Sequence, residues 1–232
     1  MKTLFVHAHS TRKVQIPRAV LKKLPRKVGV VASIQFANQI PAIVKQIRGG
    51  VAGGQVLGCN AAMALKLAGK VDAFLFVGSG VFHPINVALQ SKKPVFCFNP
   101  YTSEFKELDK SEVLAYEKAR KGAVLKFLSA KRVGIIVSTK PGQKNLQRAL
   151  QLKKKGDKEY YVFVCDTLDF KYLEDFNFID CWVNTACPRL DDQKAGIVSI
   201  NDLVAAGIVK FPHVPEGYEV PIWMGTKGLA LK

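Results

Sequence analysis

Three apolar runs recur a little more than a hundred residues further along the chain, and that recurrence narrows the fold more than any other feature. Lys27-Val-Gly-Val-Val-Ala-Ser33 is matched by Arg132-Val-Gly-Ile-Ile-Val-Ser138 at a shift of 105. Gln55-Val-Leu-Gly-Cys59 stands against Tyr161-Val-Phe-Val-Cys165 at a shift of 106, and Val71-Asp-Ala-Phe-Leu-Phe-Val77 against Ile179-Asp-Cys-Trp-Val-Asn-Thr185 at 108. Nearly constant spacing over three matches indicates duplication. The runs are continuously apolar rather than alternating, which fits strands of a parallel sheet covered on both faces. The segments between them carry helical spacing, as at Leu146, Leu150 and Leu152 after Pro141-Gly142. Alternation of strand and helix at this rhythm predicts an α/β fold: two tandem homologous units with parallel sheets flanked by helices.

The first unit is expected over residues 1–108, closed by a strand in Pro94-Val-Phe-Cys-Phe-Asn-Pro100. The second is expected over 109–204, entered through a charge-alternating helix within Lys106–Leu128. Residues 205–232 read as an irregular arm, with Pro212, Pro215, Pro221 and Trp223 breaking any regular element. By analogy with the closing strand of the first unit, Leu4–Ala8 reads as the closing strand of an earlier unit. Alone it would present an unpaired edge, which proteins avoid. The expectation is that a homologous unit was lost or is supplied by another chain.

At 232 residues, 48% hydrophobic and 23% charged, the chain can bury one large or two small cores. No apolar run approaches the roughly 18 residues of a membrane span. The N-terminal apolar stretch is too short for a signal peptide. Cysteines number five, at 59, 97, 165, 181 and 187. With no export signal they are expected as reduced thiols in a cytoplasmic protein. The net charge is +17. The lysines (Lys22, Lys23, Lys153–Lys155) lie on amphipathic segments without interleaved exposed aromatics. A solvated lysine-rich surface is therefore expected, and nucleic acid is not an expected partner; attraction to an acidic or RNA-bound partner is the alternative.

Ligands of parallel sheets bind beyond the carboxyl ends of the strands, and the chemistry-bearing residues gather there. In Asn184-Thr-Ala-Cys187-Pro188-Arg189 a cysteine follows a strand, the proline stops the regular backbone, and the arginine's charge favours thiolate. That is how a metal or iron–sulfur ligand is presented. Cys59 ends a glycine-rich approach, Gly53-Gly-Gln-Val-Leu-Gly-Cys59, and reads either as a ligand or as a small buried hydrophobe. Cys97 and Cys181 alternate with large apolar residues and are expected in the core, and Cys165 in the core or close to a site. The loop Gly78-Ser79-Gly80-Val-Phe-His83-Pro84 lets backbone N–H groups approach an anion. His83 is a ligand, a proton carrier or, most simply, the cap of a helix starting near Pro84. Ser138-Thr-Lys-Pro-Gly-Gln143 forms a polar nest at a helix start but lacks the spacing of a Walker loop. No carboxylate pair is poised for acid/base work, so no catalytic side chain is assigned. Asp191-Asp192 reads as a solvated turn or helix start. There is neither a Cys-x3-Cys-x2-Cys triplet nor a Cys-x2-Cys pair.

Taken together, Gly54–Cys59, Val77–Pro84, Ser138–Gln143 and Val183–Arg189 resemble, in the same order, the motifs of the diphthamide synthase family, the archaeal 2-(3-amino-3-carboxypropyl)histidine synthases. The resemblance extends from about Leu4 to about Val204. It implies three similar α/β units, each giving one cysteine to a single [4Fe–4S] cluster whose fourth iron is open to S-adenosylmethionine. It implies transfer of a 3-amino-3-carboxypropyl radical to a histidine of translation elongation factor 2, by a dimeric enzyme. Carried onto this sequence, Cys59 and Cys187 would be cluster ligands. Gln143 and the loop of Gly78, Ser79, Gly80 and His83 would hold S-adenosylmethionine. Arg189 would lie beside the cluster, where its charge could stabilise a reduced state. The sequence departs from the pattern in lacking the unit with the first cluster cysteine. A separate chain, a dimer partner or loss of the chemistry are the three explanations. Readings as a non-catalytic family member that binds S-adenosylmethionine or supports an active subunit, or as a basic RNA- or ribosome-associated module, stand beside the enzyme.

Overall fold

The computed structural model describes Leu4, residues 6–190 and residues 196–211, in two compact units that divide between Leu114 and Ala115. The first contains α1 (Arg18–Leu21), β1 (Val28–Ala32), a 3-10 helix (Ile34–Gln39), α2 (Ile40–Val44), β2 (Gly50–Gln55), α3 (Ala62–Leu65), β3 (Ala73–Val77), α4 (Phe82–Ser91), β4 (Val95–Phe98) and β5 (Phe105–Glu107). After α5 (Lys110–Ser129), the second contains β6 (Arg132–Ser138), α6 (Leu146–Lys153), β7 (Glu159–Cys165), β8 (Cys181–Asn184), β9 (Ile197–Ser199) and α7 (Ile200–Ala205). The sheets run β2-β1-β3-β4-β5 and β7-β6-β8-β9. Every pairing is parallel except that of β5 on β4. The fold is thus α/β, with parallel-dominated sheets flanked by helices, and the first four strands of each unit follow the same spatial order. Among the described residues no helix is long and apolar enough to cross a membrane.

Two devices recur at the centre of each sheet. A Cβ on Gly29 of β1 would sit 2.7 Å from the ring of Phe74 on β3, and one on Gly134 of β6 would run into the ring of Trp182 on β8. In each unit a glycine makes room for the large aromatic of the next strand. Beside it, Asp72 accepts from the backbone N–H of Lys27 (3.1 Å) and returns its own N–H to Lys27's carbonyl (2.8 Å). Asp180 likewise accepts from the N–H groups of Lys131 (3.1 Å) and Arg132 (2.8 Å) and donates to Arg132's carbonyl (2.9 Å). The Arg132 donors, backbone first, hold the Asp180 carboxyl below its ordinary range. An aspartate thus locks the start of each central strand to its neighbour. In the second unit α7 is tied to α5 by the Arg120 guanidinium on the buried Asp202 carboxylate. Burial pushes the Asp202 pKa up, and Arg120 opposes that shift.

Several expectations are corrected. Leu4 and Val6 are 87% and 79% exposed, and the described residues of the 4–8 segment form no strand, because no sheet neighbour pairs with them. β2 ends at Gln55, so Cys59 does not close a strand as Cys165 does. The register gives the reason. Ala32 pairs with Gln55 and Val137 with Val164, and a bulge between Val30 and Val31 skips Gly53. Gln55 is therefore the counterpart of Val164, and the shift-106 match dissolves. The helix after Gln143 buries Ala149 and Leu152 but leaves Leu150 exposed. β5 and β9 had no sequence signal. The proposed arm and Asp191-Asp192 lie outside the described residues, apart from Ala205–Phe211; the latter include the end of α7.

Gly134→Ala should destabilise the chain by about 1–3 kcal/mol in urea unfolding, since the ring must shift. Gly122→Ala, in α5 with open space around its Cα, should stabilise it by about 0.5–1 kcal/mol.

Candidate functional site

In the first unit the chain leaves β2 into a closed turn, with mutual backbone bonds between Leu57 and Asn60 of 2.9 and 3.1 Å. Gly58 and Cys59 occupy its tip. A Cβ on Gly58 would fall within the ring of Phe82 at the start of α4, so glycine alone fits there. Farther along α4, the buried Asn86 donates to the Leu57 carbonyl (3.4 Å) and accepts from Gln90 (2.9 Å). α4 follows the 78–81 loop, in which Gly78 lies against Phe76 and Ser33 while Ser79 and Gly80 are exposed. His83 is the second residue of α4 and stacks on Phe76 at 5.9 Å. The cap position is Val81, so His83 is not the helix cap. The turn holding Cys59 and the loop of Gly78, Ser79, Gly80 and His83 are therefore neighbours, joined through Phe82.

In the second unit, the chain leaving β8 is fixed by three short polar side chains. Thr185 donates from its N–H (3.1 Å) and its hydroxyl (2.7 Å) to the Ile136 carbonyl. Asn184, 1% exposed, accepts from the Ala186 N–H (2.8 Å) and donates to the Cys187 carbonyl (2.8 Å). Asn145 occupies the cap position of α6 but makes no capping bond; its amide donates to Thr185 (2.6 Å) and Gln143 (3.3 Å) carbonyls. A helix cap contributes about 1 kcal/mol, and here the group that could supply it is diverted to join the loop of Gln143 to the loop of Cys187. Arg189 lies exposed on a 3-10 turn, Pro188–Leu190, immediately after Cys187. Asn86, Asn145 and Asn184 were not singled out from sequence. The available signal was a small amide flanking a glycine- or cysteine-bearing strand end, where its donor and acceptor can hold irregular backbone.

Residues 1–195 match the family model for diphthamide synthesis protein. This chain belongs to that family. It is 39% identical over 147 residues to the 2-(3-amino-3-carboxypropyl)histidine synthase of Pyrococcus horikoshii, covering 61% of this chain and 41% of the relative. With the synthase of the same name from Methanocaldococcus jannaschii the identity is 29% over 209 residues, covering 83% and 57%. A crystal structure of Dph2 from Pyrococcus horikoshii with a 4Fe-4S cluster superposes with a TM-score of 0.67 at 29% identity, covering 86% of this chain and 61% of that one. The chain spans about half the length of these curated relatives.

The five cysteines differ in burial and in their place relative to the strands. Cys97 and Cys181 lie inside strands, and burial pushes each thiol up to about 12. Cys165 is half-buried, and its pKa is raised by burial and then by Asp166. Cys59 and Cys187 are half-buried like Cys165 but lie outside the sheets, each on a loop beyond a strand end. Each unit thus offers one accessible sulfur outside its sheet, which fits the thiolate chemistry of an iron–sulfur cluster. Among the described residues no group of three His, Cys, Asp or Glu side chains is placed to hold a metal ion.

Alkylation at pH 8 followed by peptide mass spectrometry should modify Cys59 and Cys187 well before Cys97 and Cys181. Asn184→Ala should cost about 1–3 kcal/mol by stranding buried backbone groups and should change the modification rate of Cys187. Because the Cys97 and Cys181 pKa values rise from 9.0 to about 12 on folding, their contribution to stability is complete below about pH 9 and declines as pH rises toward 12. Melting temperatures across that window should fall, and fall less in Cys97→Ala relative to its own value at pH 8.

Proposed function

We propose that this chain acts in the first step of diphthamide formation, moving the 3-amino-3-carboxypropyl group of S-adenosylmethionine to a histidine of translation elongation factor 2. The observation that carries this reading is the pair of cysteines outside the sheets, Cys59 and Cys187, on loops held by the Gly58–Phe82 contact and by Asn184, within stretches that resemble the family's motifs. Cys59 and Cys187 would hold a [4Fe–4S] cluster together with a thiolate from a further unit. When bound, such a cluster supplies the single electron that cleavage of S-adenosylmethionine by a radical route requires.

The chain's own residues bind and orient. Gly80, with open space around it, allows backbone N–H groups of the loop to approach a carboxylate, while Gly78 fits the loop against Phe76 and donates its N–H to the Phe98 carbonyl. His83, packed on Phe76, borders that loop. Gln143 can both donate to and accept from the amino-acid moiety of the co-substrate. Arg189 adds positive charge next to Cys187, which favours an anionic, reduced centre. The second reading is a family member that binds S-adenosylmethionine or supports an active subunit without turning over.

Anaerobic reconstitution with iron and sulfide distinguishes the two, performed on the chain alone and with a short homologue of the further unit. The expected result is a visible sulfur-to-iron absorption band, bleached by dithionite and abolished by Cys59→Ala or Cys187→Ala. Incubation with S-adenosylmethionine and elongation factor 2 should then add the aminocarboxypropyl mass to one histidine. Failure of both samples to retain iron would sink the catalytic reading and leave the supporting role.

A further inference from the structure

The first 103 residues contain fourteen lysines and arginines but one acidic residue, Asp72, and so hold +13 of the chain's +17 net charge. The Asp72 carboxylate is engaged with the Lys27 backbone N–H. Composition alone gives this excess no address, but the fold does. Residues 12–24 cross one face of the first unit's sheet, with Val14, Ile16 and Val20 buried against Val28, Val30 and Ala32 of β1. Burial of those three leaves Arg12, Lys13, Arg18, Lys22 and Lys23 exposed.

This segment is not a loose basic tail. Two glutamines seven residues apart pin it as a neighbouring strand would. Gln39 accepts from the Val14 N–H (2.9 Å) and donates to the Arg12 carbonyl (2.9 Å). Gln46 accepts from the Ile16 N–H (2.8 Å) and donates to the Val14 carbonyl (3.0 Å). The two ends of the segment rest on the same β4–β5 hairpin. The Arg12 guanidinium lies 5.9 Å from the centre of the Tyr101 ring, and the Lys23 ammonium 6.0 Å from that of Phe105. Tyr101 is 50% exposed, packs at 5.5 Å on Phe36, and donates its hydroxyl to Ser10 (3.0 Å). Glu104 and Glu107 are the acidic residues that come with this hairpin.

We infer that this face docks a single-stranded nucleic acid. Arg12, Lys13, Arg18, Lys22 and Lys23 would neutralise successive phosphates, and the pinned, half-exposed Tyr101 ring would stack a base. A phosphate backbone matches a row of cations held on rigid backbone, and displacement of its counterions drives association. An oriented aromatic within such a row is the stacking platform of single-strand binding. A membrane surface is a poorer match: the exposed residues between the cations are Gln15, Pro17 and Ala19, with no large apolar side chain to enter a bilayer. The inference is independent of the cysteine chemistry.

The test is fluorescence anisotropy of labelled 20-nucleotide uridine RNA and thymidine DNA with the full chain, across a salt series. Four to five phosphate contacts predict a log–log salt slope of about −3. Replacing Arg12, Lys13, Lys22 and Lys23 by Gln should weaken binding at least ~10-fold. A control with Lys118, Lys153, Lys154 and Lys171 changed to Gln removes the same four charges from exposed positions of the second unit and should alter affinity less than about 2-fold. Tyr101→Leu should weaken binding about 10-fold at unchanged net charge. Binding of RNA, of DNA or of both supports the shared phosphate-and-base chemistry, and a preference for one identifies its source. Equal weakening by the two fourfold variants would reduce the effect to overall charge and overturn the proposal. So would binding to phosphatidylserine vesicles or polyglutamate without binding to either oligonucleotide, or duplex binding as tight as single-strand binding. Should the fourfold patch variant fail to fold by circular dichroism, Tyr101→Leu and the salt slope decide.

Discussion

Parallel pairing of the central strand in each unit is the constraint on which the remaining structure depends. β1 lies between β2 and β3, and β6 between β7 and β8, all running the same way. Parallel neighbours cannot be joined by a tight hairpin, so each return crosses a face of the sheet. The crossings bury the strands: Val28, Val30, Val31 and Ala32, and Val133 and Ile135, are fully buried. They also send the loops that follow the parallel strands out over one edge of each sheet. Gly29 and Gly134 allow the neighbouring aromatic to close over the central strand, and Asp72 and Asp180 fix where that strand begins. With the strand start and lateral spacing fixed, the loops bearing Cys59 and Cys187 have defined points of departure.

What those loops do next is decided by local polar chemistry rather than by the sheets. The Cys59 turn is shaped by the absence of a side chain at Gly58 and by the Phe82 ring that occupies the space. The Cys187 loop is shaped by amides, with Asn184 spanning it from within and Asn145 tying it to Gln143. Both solutions hold irregular backbone firmly while leaving the sulfur half-exposed, as a thiolate ligand requires and a core cysteine does not. Cys97 and Cys181, buried within β4 and β8, show the contrast: burial keeps them protonated well past neutral pH.

The matching strand orders of the two units were legible because parallel strands are buried on both faces and so leave continuous apolar runs. The runs at 27 and 132, and at 71 and 179, align β1 with β6 and β3 with β8. The third match failed for a definite reason. β2 contains Gly50, Gly53 and Gly54 and a bulge, so its apolar signal is weaker than that of the apolar residues after it. Leu4–Ala8 failed in the opposite way: it has strand composition, but no ladder partner. β5 and β9, at three residues each, are too short to leave a pattern.

The sequence by itself determined the class of fold, the family, and which two cysteines stand apart from the core, since apolar runs, glycines and the Cys-Pro-Arg triplet are written in consecutive residues. Tertiary structure alone decided the partnerships. Gly58 meets Phe82 and Asn145 reaches Thr185 across gaps of 24 and 40 residues, and Gln39 and Gln46 turn the basic segment into a fixed surface. Such contacts depend on crossing connections that bring distant loops to one sheet edge. Neither hydrophobic periodicity nor composition encodes which side chain waits there.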